Sequence, residues 1–271
     1  MSMNRYKASA THLAASAGVI AIFCAIVFFI WYPAPYFFIE GTIAVITILI
    51  IVDVVLGPLL TLIVFKPGKP SLKFDLSVIV LIQVSALLYG ANTIYSERPY
   101  FVPFAIDRFT VIQANQTKTM DFSTINPQIN YQQPGPSYVY AKRPSDPQIR
   151  SQILREAAAG GADIDRHPEL YRDFKTHISG SFDRSLELDT LAKQYADNKA
   201  VIDRFRLRYP DTKSLAFYPL LGKHNDVVLV VSRNNAEVID YIAIDPWKGR
   251  KSDNNNSAPI PSLPGAPVID K

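Results

Sequence analysis

The chain has 271 residues, 28 Lys/Arg against 24 Asp/Glu, and one cysteine, Cys24. That length suits a small membrane unit plus one modest folded domain, and a lone cysteine excludes an intrachain disulfide or a cysteine-built metal cage. Residues 1–95 hold five Lys/Arg and three Asp/Glu, residues 96–271 hold 23 and 21, so each part is net +2. No element carries the clustered basic charge of a nucleic-acid binder.

The first apolar run is Leu13–Trp31, preceded by Arg5, Lys7 and His12. It is long enough to cross a bilayer, lacks a small-residue cleavage site and ends in Trp31-Tyr32-Pro33, an interfacial aromatic pair and a helix stop. It reads as a retained helix. The second run, 43–65, and the third, 74–95, are each long enough to span as well. The loop between the first two holds Glu40 and no Lys or Arg. The turn between the last two holds Lys66, Lys69 and Lys73. Lys/Arg bias in short loops sets orientation. That places this turn and the N-terminus in the cytoplasm and residues 96–271 on the outer face of the membrane. Pro67 and Pro70 stop the two helices and Gly68 permits the reversal, so the second and third helices are antiparallel neighbours.

Asp53 lies near the middle of the second run. A carboxylate at that depth costs about 2.5–3.5 kcal/mol on insertion scales, so it should face the bundle or a polar partner. Thr47, Gln83, Ser85 and Asn92 are the available partners, and Gln83 and Ser85 fall at similar depth. Three roles fit Asp53: an interhelical hydrogen bond worth about 0.6–2 kcal/mol, a docking point for another protein's helix, or a proton site. Gly57-Pro58 follows one turn later. Proline removes a backbone donor and crowds the carbonyl of Val54, predicting a kink or a locally opened turn, with Thr61 placed to bond a freed carbonyl.

Beyond the third run, residues 99–114 read as one strand, 115–137 as a polar loop with a short helix at most over 120–125, and 137–142 as a short strand. Ser145-Asp146-Pro147 caps a helix that ends near Gly160-Gly161. A short helical segment starts at His167-Pro168, and 182–199 is an amphipathic helix candidate. The segments 215–221, 227–232 and 238–244, separated by turn residues, read as an antiparallel meander. The fold class expected is therefore a three-helix membrane unit over 1–95 and an outer α+β domain over 96–247 with a mainly antiparallel sheet of four or five strands and helices on one face. Residues 248–271, rich in Asn, Ser and Pro, read as a disordered tail.

The residues that could do chemistry do not assemble into a recognisable set. His12, His167, His177 and His224 show no i,i+4 metal spacing, Asp163-x-Asp165 lacks the rest of a calcium loop, and no phosphate-binding or nucleophile motif is present. The sequence thus calls for no catalytic residue, cofactor or metal. Arg204-x-Arg206-x-Arg208 puts three cations on one face if extended, and reads as a solvated face or as a contact for an acidic partner. Glu97, Arg98, Asp107 and Arg108 are the charged residues close to the membrane, and are where a membrane-bound envelope enzyme would carry its chemistry.

One series of residues is distinctive. Asp53-x-x-Leu-Gly-Pro-x-Leu-Thr-Leu-x-Val-x-Lys-Pro-Gly-Lys runs into Asp75-Leu76, Gln83, Ala86-Leu87, Tyr89-Gly90, Arg98-Pro99 and Asp107-Arg108-Phe109. It resembles the type IV pilin accessory proteins, the Tfp-type and FimB-like group, densely over residues 5–110 and loosely beyond. The resemblance implies a non-catalytic, chaperone-like inner-membrane protein that helps a cognate type IV pilin reach assembled, surface-displayed pili. It also suits the architecture, since such a pilin waits in the membrane with one apolar helix and an outer globular head. The residues singled out for partner binding or for holding the bundle are Asp53, Gly57, Pro58, Gln83, Arg98, Asp107 and Arg108.

Overall fold

The computed structural model describes residues 4–194 and 196–247; the predicted tail over 248–271 lies outside them. Among the described residues, three helices are long and apolar enough to cross a membrane: Arg5–Trp31, Thr42–Val64 and Leu72–Ser96. The second and third match the predicted runs within two residues. The first starts eight residues earlier, because nothing between Arg5 and His12 breaks a helix and Asn4 caps it, its Oδ1 accepting the Lys7 N–H at 2.9 Å. Ile22, Phe29, Ile63, Leu81 and Leu88 stand exposed along these helices, an apolar surface that fits lipid and not water.

Contacts fix how the three spans run. Near the start of the first span, Ser9 Oγ donates to the Pro58 carbonyl at 2.9 Å and His12 Nδ1 lies 2.6 Å from Thr61 Oγ1. At its far end, Trp31 packs edge-on against Tyr95 at 5.0 Å. The first span is therefore antiparallel to the second and parallel to the third. Arg5, Lys7, Lys66, Lys69 and Lys73 gather at one end, and the remainder of the chain leaves from the other. Gly90 seats the second span against the third: a Cβ there would come within 2.8 Å of the Leu49 side chain, the close approach that small residues allow between membrane helices.

After Ser96 the chain builds an eight-stranded sheet. Its strands are β1 (Pro99–Ala105), β2 (Arg108–Thr110), β3 (Ile112–Gln113), β4 (Ser137–Ala141), β5 (Tyr171–Asp173), β6 (Leu215–Leu221), β7 (Asp226–Ser232) and β8 (Val238–Ile242). The order is β5-β4-β1-β2-β6-β7-β8, with β3 also paired to β1. The meander over 215–242 forms as expected, β6 with β7 and β7 with β8 antiparallel. The sheet as a whole, however, is mixed and not mainly antiparallel: β1 pairs with β4, and β2 with β6, in parallel. Hairpin reasoning captures strands that are neighbours in sequence. The two parallel pairs follow long connections, after Gln113 and after Asp173, that return the chain to the same end of the sheet before the next strand.

Two further expectations are corrected. The single strand over 99–114 is three strands, because the chain reverses at Ile106, which takes φ of 61°. The helix over 182–199 begins later, as Leu188–Gln194 followed by Ala196–Arg208. Upstream of it the Leu186 N–H is held by the Phe217 carbonyl at 2.8 Å, which draws 185–187 alongside β6 instead of into a helix. Both faces of the sheet are covered. Alternate residues such as Phe101, Val139, Phe217 and Val230 pack on the helices Pro147–Ala158, Leu188–Gln194 and Ala196–Arg208 through Ile153, Leu191, Ile202 and Phe205. The opposite set, including Val102, Phe104, Phe109, Tyr218 and Leu229, forms one core with Tyr32, Tyr36, Ile39 and the span residues Val27, Ile46, Leu49 and Ile94.

That shared core is closed by the short helix Tyr36–Ile39, which sits on the β6–β7 turn. The Ile39 carbonyl accepts the His224 N–H at 2.8 Å and the Asn225 N–H at 3.3 Å. Two glycines make the approach possible. A Cβ on Gly222 would fall 2.7 Å from Ile39 Cβ, and one on Gly41, which also has φ of 74°, would fall 2.3 Å from the His224 ring. Gly41→Ala is expected to cost about 1–3 kcal/mol from the backbone conformation plus a steric part, lowering the melting temperature by about 2–4 °C per kcal/mol. His224→Ala in the same chain should restore only the steric part, as scanning fluorimetry of the purified protein would measure.

Candidate functional site

Two buried polar clusters stand out. The first lies inside the spans. Ahead of Pro58 the second span is wound as a π-helix over Ile51–Leu56, which is the locally opened form of the two expected. The Gly57 N–H reaches back to the Val52 carbonyl. Asp53 is turned into the bundle, about 5% exposed. Of the four predicted partners, Gln83 is the one that meets it: Gln83 Nε2 donates to the Asp53 carbonyl oxygen at 3.1 Å. Thr47 bonds Ile43 on its own helix.

Gly57 explains how Gln83 enters. A Cβ at Gly57 would stand 2.1 Å from Gln83 Nε2, so only glycine leaves room for the amide. Thr61 bonds His12 and not a freed carbonyl, while the carbonyl of Pro58 itself is taken by Ser9. Asp53, Gly57, Pro58 and Gln83 are thus brought together in one place, joined by Ser9, His12 and Thr61. Asp53 Oδ1 and Gln83 Oε1 are both buried with no hydrogen-bond partner among the described residues.

The second cluster lies at the sheet end of the spans and centres on Glu40, 6% exposed. Gln113 Nε2 donates to Glu40 Oε2 at 2.7 Å, and the Lys223 N–H donates to Oε1 at 3.1 Å. The Lys223 ammonium goes elsewhere, to Glu97 Oε2 at 2.9 Å. Glu40 therefore joins the loop before the second span, the end of β3 and the β6–β7 turn. Burial pushes its carboxyl above the usual glutamate value, and the two hydrogen bonds pull it partly back.

The remaining predicted residues are not gathered. Arg98 lies at the start of β1, its guanidinium 3.8 Å from the Tyr95 ring centre. Asp107 and Arg108 lie at the opposite end of β1, in the β1–β2 turn, and face each other at 3.9 Å. No joint site of Arg98, Asp107 and Arg108 forms. The arginine series is helical, not extended: Arg206 pairs with Asp189 and Arg208 with Asp240 at 2.9 Å. Among the described residues, no group of three or more His, Cys, Asp or Glu is placed to hold a metal ion.

Residues 2–41 match the family model described as fimbrial assembly protein FimB. A fimbrial assembly protein of serogroup I from Dichelobacter nodosus is 28% identical over 254 residues, covering 89% of this chain and 96% of the relative. A second from the same organism, of serogroups C1 and C2, is 38% identical over 108 residues, 39% of this chain and 82% of the relative. The chain belongs to the FimB fimbrial assembly family. No solved structure matches it. The family model ends at Gly41, so it takes in Glu40 and the loop that seats the sheet on the spans of this FimB-family chain. Sequence reasoning passed over that loop. Its one signal was an acidic residue without a basic neighbour in a loop rich in proline and aromatic residues.

Gly57→Val should displace Gln83 and destabilise the spans by about 1–3 kcal/mol. Asp53→Asn, which adds an N–H beside an unmatched acceptor, should leave the melting temperature within a few degrees. For Glu40 the folded protein holds its proton to higher pH than the unfolded chain, so its contribution to stability falls as pH rises from the ordinary value of 4.5 through the raised one. The stability of wild type relative to Glu40→Gln should therefore increase as pH is lowered through that window, measured by thermal melts at a series of pH values.

Proposed function

We propose that this FimB-family protein resides in a bacterial inner membrane and assists assembly and surface display of a cognate type IV pilin, as a chaperone-like accessory and not as an enzyme. Residues 1–95 form its membrane unit and 96–247 its periplasmic domain. The N-terminus and the Lys66–Lys73 turn face the cytoplasm, in line with the five basic residues at that end of the bundle.

The observation that carries the reading is the shared core between spans and sheet. It makes a lipid-exposed helical surface and an outer folded surface parts of one body. A pilin with one apolar helix and an outer head presents a matching pair of surfaces. Asp53 is buried within this chain's own bundle, which favours its role in holding the spans together, and leaves the exposed apolar faces for a partner helix.

Removing the gene should reduce surface pili to a small fraction of wild type, measured by immunoblot of sheared pili. Photo-crosslinkers on the lipid-exposed faces at Ile63 or Leu81 should capture the pilin. Wild-type piliation and pilin level in the deletion strain would contradict the proposal. In a Cys24→Ala background, Ser214→Cys should react with a membrane-impermeant maleimide from the periplasmic side, and Ser71→Cys only after the inner membrane is opened.

A further inference from the structure

At the sheet end of the bundle lies a cleft of about 390 Å³ lined by Trp31, Tyr95, Arg98, Tyr100, Tyr131 and Gln132 among others. Its height is set by the spans: Trp31 is the last residue of the first, and Tyr95 is one residue from the end of the third. Aromatic residues at such ends sit at headgroup level in a bilayer. The Arg98 guanidinium is held 3.8 Å from the Tyr95 ring centre and 5.5 Å from that of Tyr100, and donates to the Tyr95 carbonyl at 2.7 Å.

Charge decides what the cleft can take. Arg98 makes no ion pair among the described residues, and its neighbour Glu97 is engaged by Lys223. An arginine carries five donors and no acceptor, so most of its hydrogen-bonding capacity is unused here. The rings fix the guanidinium plane without neutralising it. At headgroup depth the abundant anion is the phosphodiester of a phospholipid, which arginine binds with paired hydrogen bonds.

We propose that this cleft binds the phosphate of a phospholipid headgroup, with Arg98 as the anion ligand and Trp31, Tyr95 and Tyr100 as the walls that receive the glycerol and upper acyl region. The inference rests on the membrane reading above. A lipid held there fills the gap between the third span, β1 and the 131–134 segment, and couples the sheet to the bilayer surface at a second point, apart from Glu40.

The test is native mass spectrometry of the full chain released from detergent, titrated with dioleoylphosphatidylglycerol or with dioleoylglycerol, which lacks the phosphate. Wild type should bind the phospholipid and not the diacylglycerol. Arg98→Gln should weaken binding about tenfold, the loss of roughly one charge-assisted interaction, and Arg98→Lys should weaken it less. Gln132→Glu, at an exposed position, should weaken it without touching the core, which keeps the test valid if Arg98→Gln misfolds. Equal binding of both lipids, or full binding by folded Arg98→Gln, overturns the proposal. So does displacement of the lipid by millimolar inorganic phosphate, which indicates a free-anion site. Capture of pilin and not phospholipid by a photo-crosslinker at Gln132 overturns it in favour of a protein carboxylate. Flotation with vesicles is read in parallel: a chain that floats but shows no Arg98-dependent lipid fails this inference alone, and one that does not float fails the membrane reading with it.

Discussion

The seating of the Tyr36–Gly41 segment on the β6–β7 turn is the constraint that the rest of the molecule depends on. A carboxylate taken out of water needs compensating donors, and Glu40 finds one on Gln113 and one on the Lys223 backbone. Each donor belongs to a different part of the sheet, so satisfying the carboxylate also fixes where the sheet stands. The Ile39 carbonyl does the same for His224 and Asn225. Tyr32 and Tyr36 add anchors, Tyr32 to the Ile94 carbonyl at 2.9 Å and Tyr36 to the Tyr138 hydroxyl at 2.7 Å. Around these polar points the apolar core runs without a break from Ile20 in the first span to Val231 in β7.

The cluster at Asp53 follows a different logic. In lipid no water can complete a polar group's hydrogen bonds, so the spans must supply partners from one another. The π-helical segment runs into Pro58, which has no N–H to give, so the Asp53 carbonyl is left for Gln83, while Ser9 bonds the Pro58 carbonyl in the helix that follows. This ties the second span to the first on one side and to the third on the other. The Asp53 and Glu40 clusters therefore act at different levels: one holds the three spans together, and the other holds the sheet on the spans.

The parts of this architecture that depend on local pattern were legible in the sequence. The three spans, the lysine-bearing turn, the Asp146 cap and the meander from Leu215 follow from apolar length, turn residues and strand alternation. Pairing that depends on distant chain return was not, and the two parallel pairs, β1 with β4 and β2 with β6, turned an expected antiparallel sheet into a mixed one. Gln83 could be named as a partner of Asp53 because antiparallel neighbours of known length place residues at matching depth. Glu40 could not be paired with Gln113 and Lys223, because they lie 73 and 183 residues away and no periodicity links them. Arg98, Asp107 and Arg108 were grouped because they are close in sequence, yet one strand's length puts them at opposite ends of β1.

Hydrogen exchange at the two turns that flank β7 tests this account most directly. The turn at 222–225 is docked on the Tyr36–Gly41 segment, whereas the turn at 233–236 is held within the sheet domain, the Arg233 N–H on the Ser214 carbonyl and its guanidinium on the Leu215 and Phe182 carbonyls. In the reconstituted wild-type protein both turns should be protected, and Glu40→Ala should speed exchange at the first while leaving the second and β7 unchanged. Fast exchange at 222–225 in the wild type, or protection there that survives Glu40→Ala, would contradict the account, because it would mean that the sheet is not held to the spans through Glu40 and its loop.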